Sequence, residues 1–261
     1  MRRYPVYKIL TFILLPALII ETILLIHLWM GRPGKAVKIP PIKKGRIAIV
    51  IDDWGYNQDN LVLLDQIKYP LTVSVLPRLD YSKAVAEEVH KRGLQVILHL
   101  PMEPHEKYRL EKNTILISMD EQEIRNIIEQ DLADIRYAAG VSNHMGSKAT
   151  EDSRTMGIVF KELKRRGLFF LDSFVSSRTI CSGLAEKLDL SFAKRNIFLD
   201  NKEDPAYIKG QIYKLKRKAE ARGYAIGIGH DRKNTLEVLK EIMPELAKEG
   251  YKFVFVSELV K

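Results

Sequence analysis

The residues able to do chemistry stand at the ends of apolar runs. In "RIAIVIDDWG", Arg46 to Gly55, the apolar residues Ile47 to Ile51 lead directly into Asp52 and Asp53. Two adjacent carboxylates repel one another when both are buried and ionised, and a bound cation removes the conflict. Other apolar runs end in the same manner, at His99, at Asn143 and His144, at Asp172, at Asp200 and at His230. One carboxylate with two imidazoles suits a borderline divalent cation such as Zn²⁺, with positions left for water. A second carboxylate beside that cation can serve as base toward the water.

For these side chains to meet, the runs must be strands whose ends converge. The pattern predicts strands at Ile47–Ile51, Leu71–Leu76, Leu94–Leu100, Val141–Met145, Leu168–Asp172, Asn196–Leu199, Tyr224–Ile228 and Lys252–Val256. Amphipathic stretches between them predict helices over 59–67, 82–91, 120–139, 151–166, 184–187, 204–222 and 235–248, with a longer loop over 102–118. Asp120 with Glu123 has the form of a capping box, and Gly140 is placed to end that helix. Asp204 before Pro205 reads as an N-cap with proline at the first helical position. Seven or eight such repeats imply a parallel sheet, open or closed into a barrel. The C-terminal ends of its strands then share one face, where sites of this class are built.

The net charge of +9 is concentrated at one end. Residues 1–44 carry eight Lys and Arg against Glu21 alone, which leaves the rest of the chain at only +2. That distribution argues against a protein that tracks nucleic-acid phosphates and for one that works near a membrane. Residues 1–8 form a basic start, and 9–30 ("ILTFILLPALIIETILLIHLWM") are apolar for about the length that crosses a bilayer. We read 9–30 as an uncleaved transmembrane signal anchor, with a cleaved signal peptide as the alternative. Glu21 near its middle opposes insertion unless protonated or paired. Residues 31–45, with three prolines, three glycines and five basic residues, read as a linker to a folded domain over 46–261. The single Cys181 excludes an internal disulfide and a multi-cysteine metal site.

The stretches "IAIVIDDWGYN", "VILHLPMEP", "GVSNHMGSKATED", "LFFLDS", "NIFLDN" and "AIGIGH" followed by "TLEVL" resemble, in order and spacing, the divergent polysaccharide deacetylase family, its YibQ-like branch. The resemblance runs from Arg46 to Lys261, and that family is similar to the broader NodB-type carbohydrate esterases. It implies an α/β fold, an irregular (β/α)7 barrel with a divalent metal, which we read as Zn²⁺, at its mouth. It implies Asp52 as general base, Asp53 and His99 as metal ligands, His230 as general acid on the leaving amine, and Asp172 as the carboxylate that orients His230. Two departures stand out. Glu103, in "HLPME", replaces the second histidine of the family's metal loop, and "NHMGS" replaces an arginine-and-proline motif, bringing in His144. His144 or Glu103 can supply the third ligand, and we favour Asp53, His99 and His144, with Glu103 and Asn143 as further site candidates.

Each residue also has a plainer reading. Asp52, Asp53 or Asp172 can cap a turn, His99 or His144 can be a satisfied core histidine, Glu103 can be solvated, and Asp200 and Asn201 can simply end a strand. His90 and His105 read as surface residues, and His27 belongs to the apolar leader. The leading functional expectation is a membrane-anchored hydrolase of the bacterial cell envelope. It would deacetylate peptidoglycan or another N-acetylated polysaccharide or glycan fragment by metal-activated water, on the outer side of the cytoplasmic membrane. The alternatives are a glycan-binding protein of the same fold with weak or no activity, and an envelope scaffold that pairs through its anchor.

Overall fold

A computed structural model of the chain describes residues 6–30 and 44–261. The chain divides into two units, residues 1–42 and 43–261. In the first, helix α1 (Val6–Met30) includes Pro16, and its described large apolar side chains from Leu18 to Trp29 are exposed. Among the described residues no helix is long and apolar enough to cross a membrane, so the transmembrane span expected over 9–30 is not recovered. Residues 1–5 and most of the expected linker, 31–43, lie outside the described residues.

Among the described residues the second unit holds nine strands: β1 (Arg46–Trp54), β2 (Thr72–Val75), β3 (Gln95–Met102), β4 (Ala138–Met145), β5 (Phe169–Asp172), β6 (Phe192–Lys194), β7 (Ile197–Phe198), β8 (Tyr224–His230) and β9 (Lys252–Phe253). The helices between them are α2 (Leu61–Leu64), α3 (Ser82–Lys91), α4 (Glu121–Asp134), α5 (Ser153–Arg165), α6 (Cys181–Leu188), α7 (Pro205–Arg222) and α8 (Lys233–Lys248). All strand pairs are parallel, in the order β6-β5-β4-β3-β2-β1-β8-β7, with β9 beside the start of β1.

The two ends of that order, β6 and β7, are consecutive in the chain and separated only by Arg195 and Asn196. The sheet is therefore curled until its edges are joined by a short peptide link. At the link the Arg195 N–H donates to the Asp172 carbonyl (3.0 Å) and the Asn196 N–H to that of Ile226 (2.9 Å). Among the described residues β6 and β7 do not pair, so the hydrogen-bonded ring expected of a regular barrel stays open there.

Alternation along each strand sends side chains to opposite faces. One set, including Ile47, Ile49, Ile51, Val73, Leu98, Val141 and Phe170, packs with the helices. The other set, Ala48, Val50, Ile97, Phe169, Leu171, Ala193, Ile226 and Ile228, fills the inside of the curl together with Val254, Val256 and Leu259. Because both faces are buried, the strands read as unbroken apolar runs. The capping box at Asp120 forms as expected. Helix α4 ends at Asp134, however, and Gly140 lies inside β4, because pairing with β3 already claims Ala138. Pro244 lies inside α8, and the last predicted strand shrinks to two residues before a 3₁₀ turn.

Candidate active site

The inward alternation continues past the apolar layer into a polar one at the strand ends. Asp52 follows Ala48 and Val50, His99 follows Ile97, and His230 follows Ile226 and Ile228 on the inner face. Asp53 ought to face outward. It instead takes a left-handed backbone (φ 65°), and the β1–β2 register shifts between Ile51 and Trp54. Aspartate tolerates this conformation better than most residues. The kink brings both carboxylates to the same face and returns Trp54 to the core.

Asp53, His99 and His144 each offer one ligand atom, and these atoms lie within 4.8 Å of one another. The His99 Nε2 atom is 3.2 Å from Asp53 Oδ1, and His144 Nδ1 is 3.0 Å from the same oxygen. The two imidazoles meet edge to face, with centroids 5.0 Å apart. Burial pushes the Asp53 pKa up, but the hydrogen bonds to His144 and His99 outweigh it and hold the carboxyl well below the usual range. One carboxylate oxygen and two imidazole nitrogens are a fitting set for a divalent transition metal.

Asp52 lies beside this group, with its Oδ2 3.7 Å from His99 Nε2 and only 2% of its surface exposed. Its Oδ1 is buried and, among the described residues, has no hydrogen-bond partner. Burial raises its pKa, and the nearby His99 and His230 offset this only in part. His230 is held by Asp200: its Nδ1 is 2.7 Å from Asp200 Oδ1, and its backbone N–H donates to Oδ2 at 2.7 Å. The Thr235 hydroxyl donates to the same Oδ2 (2.7 Å). Burial lowers the His230 pKa, but the bond to Asp200 and the charges of Asp53 and Asp52 reverse this and raise it.

Several sequence-based assignments are corrected here. The carboxylate on His230 is Asp200, at the end of the segment after β7, and not Asp172. Asp172 instead caps its own turn, accepting from the Phe174 N–H (2.7 Å) and the Thr179 hydroxyl (2.9 Å). Glu103 is not in the metal-competent group. It takes the Lys148 ammonium (2.5 Å) and the Ile117 N–H (2.7 Å), and Lys148 keeps its pKa low against burial. Asn143 clamps two loops, donating to the Met145 carbonyl (2.7 Å) and accepting from the Ser173 N–H (2.8 Å). His105 is exposed, as the sequence reading has it, but it has partners, Glu151 (3.1 Å) and Arg178 (3.3 Å). Sequence reasoning missed Ser74, Ser142 and Arg195. Arg195 follows Ala193 on the inner face, donates to the Ser173 and Phe174 carbonyls and lies 3.7 Å over the Phe198 ring, which stacks on His230. Counting alternate residues from the inner apolar layer would have found all three.

The chain belongs to the divergent polysaccharide deacetylase family, whose model matches residues 49–260. It is 36% identical over 206 residues to the uncharacterized protein YibQ of Escherichia coli (strain K12), covering 79% of this chain and 65% of that one. It thus spans just under two thirds of that relative's length. Among solved structures it is similar to the uncharacterized protein ATU2773 from Agrobacterium tumefaciens C58, with a TM-score of 0.78, 22% identity and coverage of 83% and 89%. More distant likenesses are the peptidoglycan N-acetylglucosamine deacetylase Bc1960 (TM-score 0.52, 14% identity, coverage 84% and 89%) and BA3943, a CE4 family pseudoenzyme from Bacillus anthracis (TM-score 0.51, 14% identity, coverage 83% and 65%). At these identities the likeness establishes the fold alone. The neighbours include both a deacetylase and a pseudoenzyme, so activity has to be argued from the site.

Proposed function

We propose that the chain is a metal-dependent hydrolase that removes acetyl groups from an N-acetylated glycan, peptidoglycan being the leading candidate. The observation that carries this reading is the convergence of Asp52 and the Asp200-held His230 on the Asp53–His99–His144 group. Asp53, His99 and His144 would hold a divalent cation, with Zn²⁺ suited to this donor set, which would supply Lewis-acid polarisation of the amide carbonyl and of the attacking water. Asp52, whose pKa burial raises, takes the proton that water loses. His230, whose pKa Asp200 raises, delivers a proton to the amide nitrogen as its bond to the acetyl carbon breaks. Water and amide are thereby converted to acetate and a free amine. The basic and apolar residues of 1–44 support a location at the cytoplasmic membrane, and we place residues 46–261 on its outer side as part of the proposal.

The test is acetate release by the zinc-supplemented full chain from chitooligosaccharides and peptidoglycan fragments, with bound metal measured alongside. Asp52→Asn is expected to lower turnover by about 100-fold or more and to leave a zinc site that still fills. Metal-loaded wild type that binds these glycans and releases no acetate would instead support a binding protein of the same fold. Fractionation of cells expressing the full chain tests the location.

A further inference from the structure

His230 carries the proton in the reaction proposed above, and Asp200 holds its ring through one atom, Nδ1 (2.7 Å). A single hydrogen bond fixes a distance and leaves the ring free to swing, since the terminal torsion of histidine is broad. Nε2, on the far side of the ring, is the atom that must face the amide nitrogen. Its aim needs a second restraint, and the ring of Phe198 offers a surface for one. The two rings stack, with centroids 5.6 Å apart and planes 17° from parallel.

Phe198 ends β7, a strand of two residues, and is itself only half-buried. What backs it is Arg195, whose guanidinium carbon lies 3.7 Å from the centre of its ring. The Arg195 Nε–H donates to the Ser173 carbonyl (2.6 Å) and an Nη2–H to that of Phe174 (2.8 Å). Its backbone N–H donates to the Asp172 carbonyl (3.0 Å). Phe174 takes a left-handed backbone (φ 53°), uncommon for so bulky a residue. A planar guanidinium can donate within its plane and stack through its face at once, which an ammonium cannot. Among the described residues these side-chain donors meet backbone carbonyls and no carboxylate, and burial pushes the Arg195 pKa down to about 10. A cation held at that cost stands at the link between β6 and β7, which do not pair among the described residues.

We infer that Arg195 and Phe198 are positioning residues that hold the plane of the His230 ring and so aim its Nε2 into the site. The loop after β5 holds Arg195, Arg195 backs Phe198, and Phe198 backs His230, so the link that closes the curl also steadies the proton donor. This rests on the reading of His230 as the donor to the leaving nitrogen.

The experiment is carbon-13 relaxation of the histidine rings in the full chain, beside kcat and KM for acetate release from chitooligosaccharides. Phe198→Leu keeps an apolar side chain and removes the flat face. Arg195→Lys keeps the charge and removes the stack with its paired donors. Each should loosen the His230 ring and lower kcat by about 10–100-fold, with KM and bound zinc unchanged. Phe198→Tyr restores a flat ring and should recover ring order and most of the kcat. The double variant should fall no further than Phe198→Leu alone, because Arg195 acts through that ring. Losses that multiply would overturn its part. A purely structural role predicts a lowered unfolding midpoint with ring order and kcat per folded molecule unchanged, and that outcome overturns the inference. Phe198→Leu carries the test where Arg195→Lys does not fold. Ring order lost in the variants of a chain whose wild type releases no acetate would instead overturn the hydrolase reading and leave the stack as what orients His230.

Discussion

His230 and Asp52 are both displaced from their ordinary acid–base behaviour, for different reasons. Burial does it for Asp52, while for His230 burial is overcome by Asp200. Activity needs Asp52 ionised and His230 protonated, so the pH profile should be bell-shaped. Its alkaline limb, set by His230 against Asp200, should lie above that of free imidazole. Asp200→Asn removes the charge that favours imidazolium, so the alkaline limb should shift to lower pH with the acid limb in place. Asp172→Asn should leave the alkaline limb unmoved, since Asp172 bonds Phe174 and Thr179 and not His230. The same pair bears on stability. The Asp200 contribution is present above the ordinary carboxylate value of 3.8 and lost as pH falls through its lowered pKa. The His230 contribution is complete below 6.5 and lost as pH rises through its raised pKa. Thermal scans should therefore show Asp200→Asn costing most between those two values.

At the scale of elements, the start of β8 and its end answer to different constraints. Gly229, one residue before His230, has no room for a side chain. A Cβ there would lie 2.8 Å from Thr235 Cγ2 and 3.4 Å from Asp200 Oδ2. Gly229→Ala should push Thr235 and Asp200 apart, and kcat should fall with the alkaline limb displaced as in Asp200→Asn. Helix α4 offers the contrasting case. Its capping box, with Asp120 accepting from Glu123 N–H and Glu123 accepting from Asp120 N–H (both 2.8 Å), is far from the site chemistry. Asp120→Ala should cost about 1 kcal/mol of stability in denaturant titration, with kcat unchanged. The box was legible because it is written within four residues. The end of α4 was not, since pairing with β3 rather than Gly140 decides it. Strand β6 was missed for a related reason: three residues, Phe192 to Lys194, carry too little pattern, and pairing with β5 makes them a strand.

For the molecule as a whole, the decisive feature is how the inner core is filled and what stands above it. Val254, Val256 and Leu259 pack with Ala48, Val50, Ile226 and Ile228 inside the curl. Leu259→Ala should cost about 2–5 kcal/mol, read as a lowered unfolding midpoint, because the rigid strands around it cannot collapse into the space. By itself the sequence determined the repeat of strands and helices, and it placed Asp52, Asp53, His99, His144 and His230 at strand ends. Those features are periodic or local, and an apolar run that stops at a carboxylate or imidazole is visible without coordinates. Only the tertiary structure decided which ends meet. The left-handed turn at Asp53 brings two neighbouring carboxylates to one face against the pleat. The Arg195–Asn196 link joins the sheet edges, and Asp200 rather than Asp172 reaches His230 because the segment after β7 runs beside β8. These outcomes depend on contacts between residues distant in the chain, where spacing along the sequence carries no distance in space.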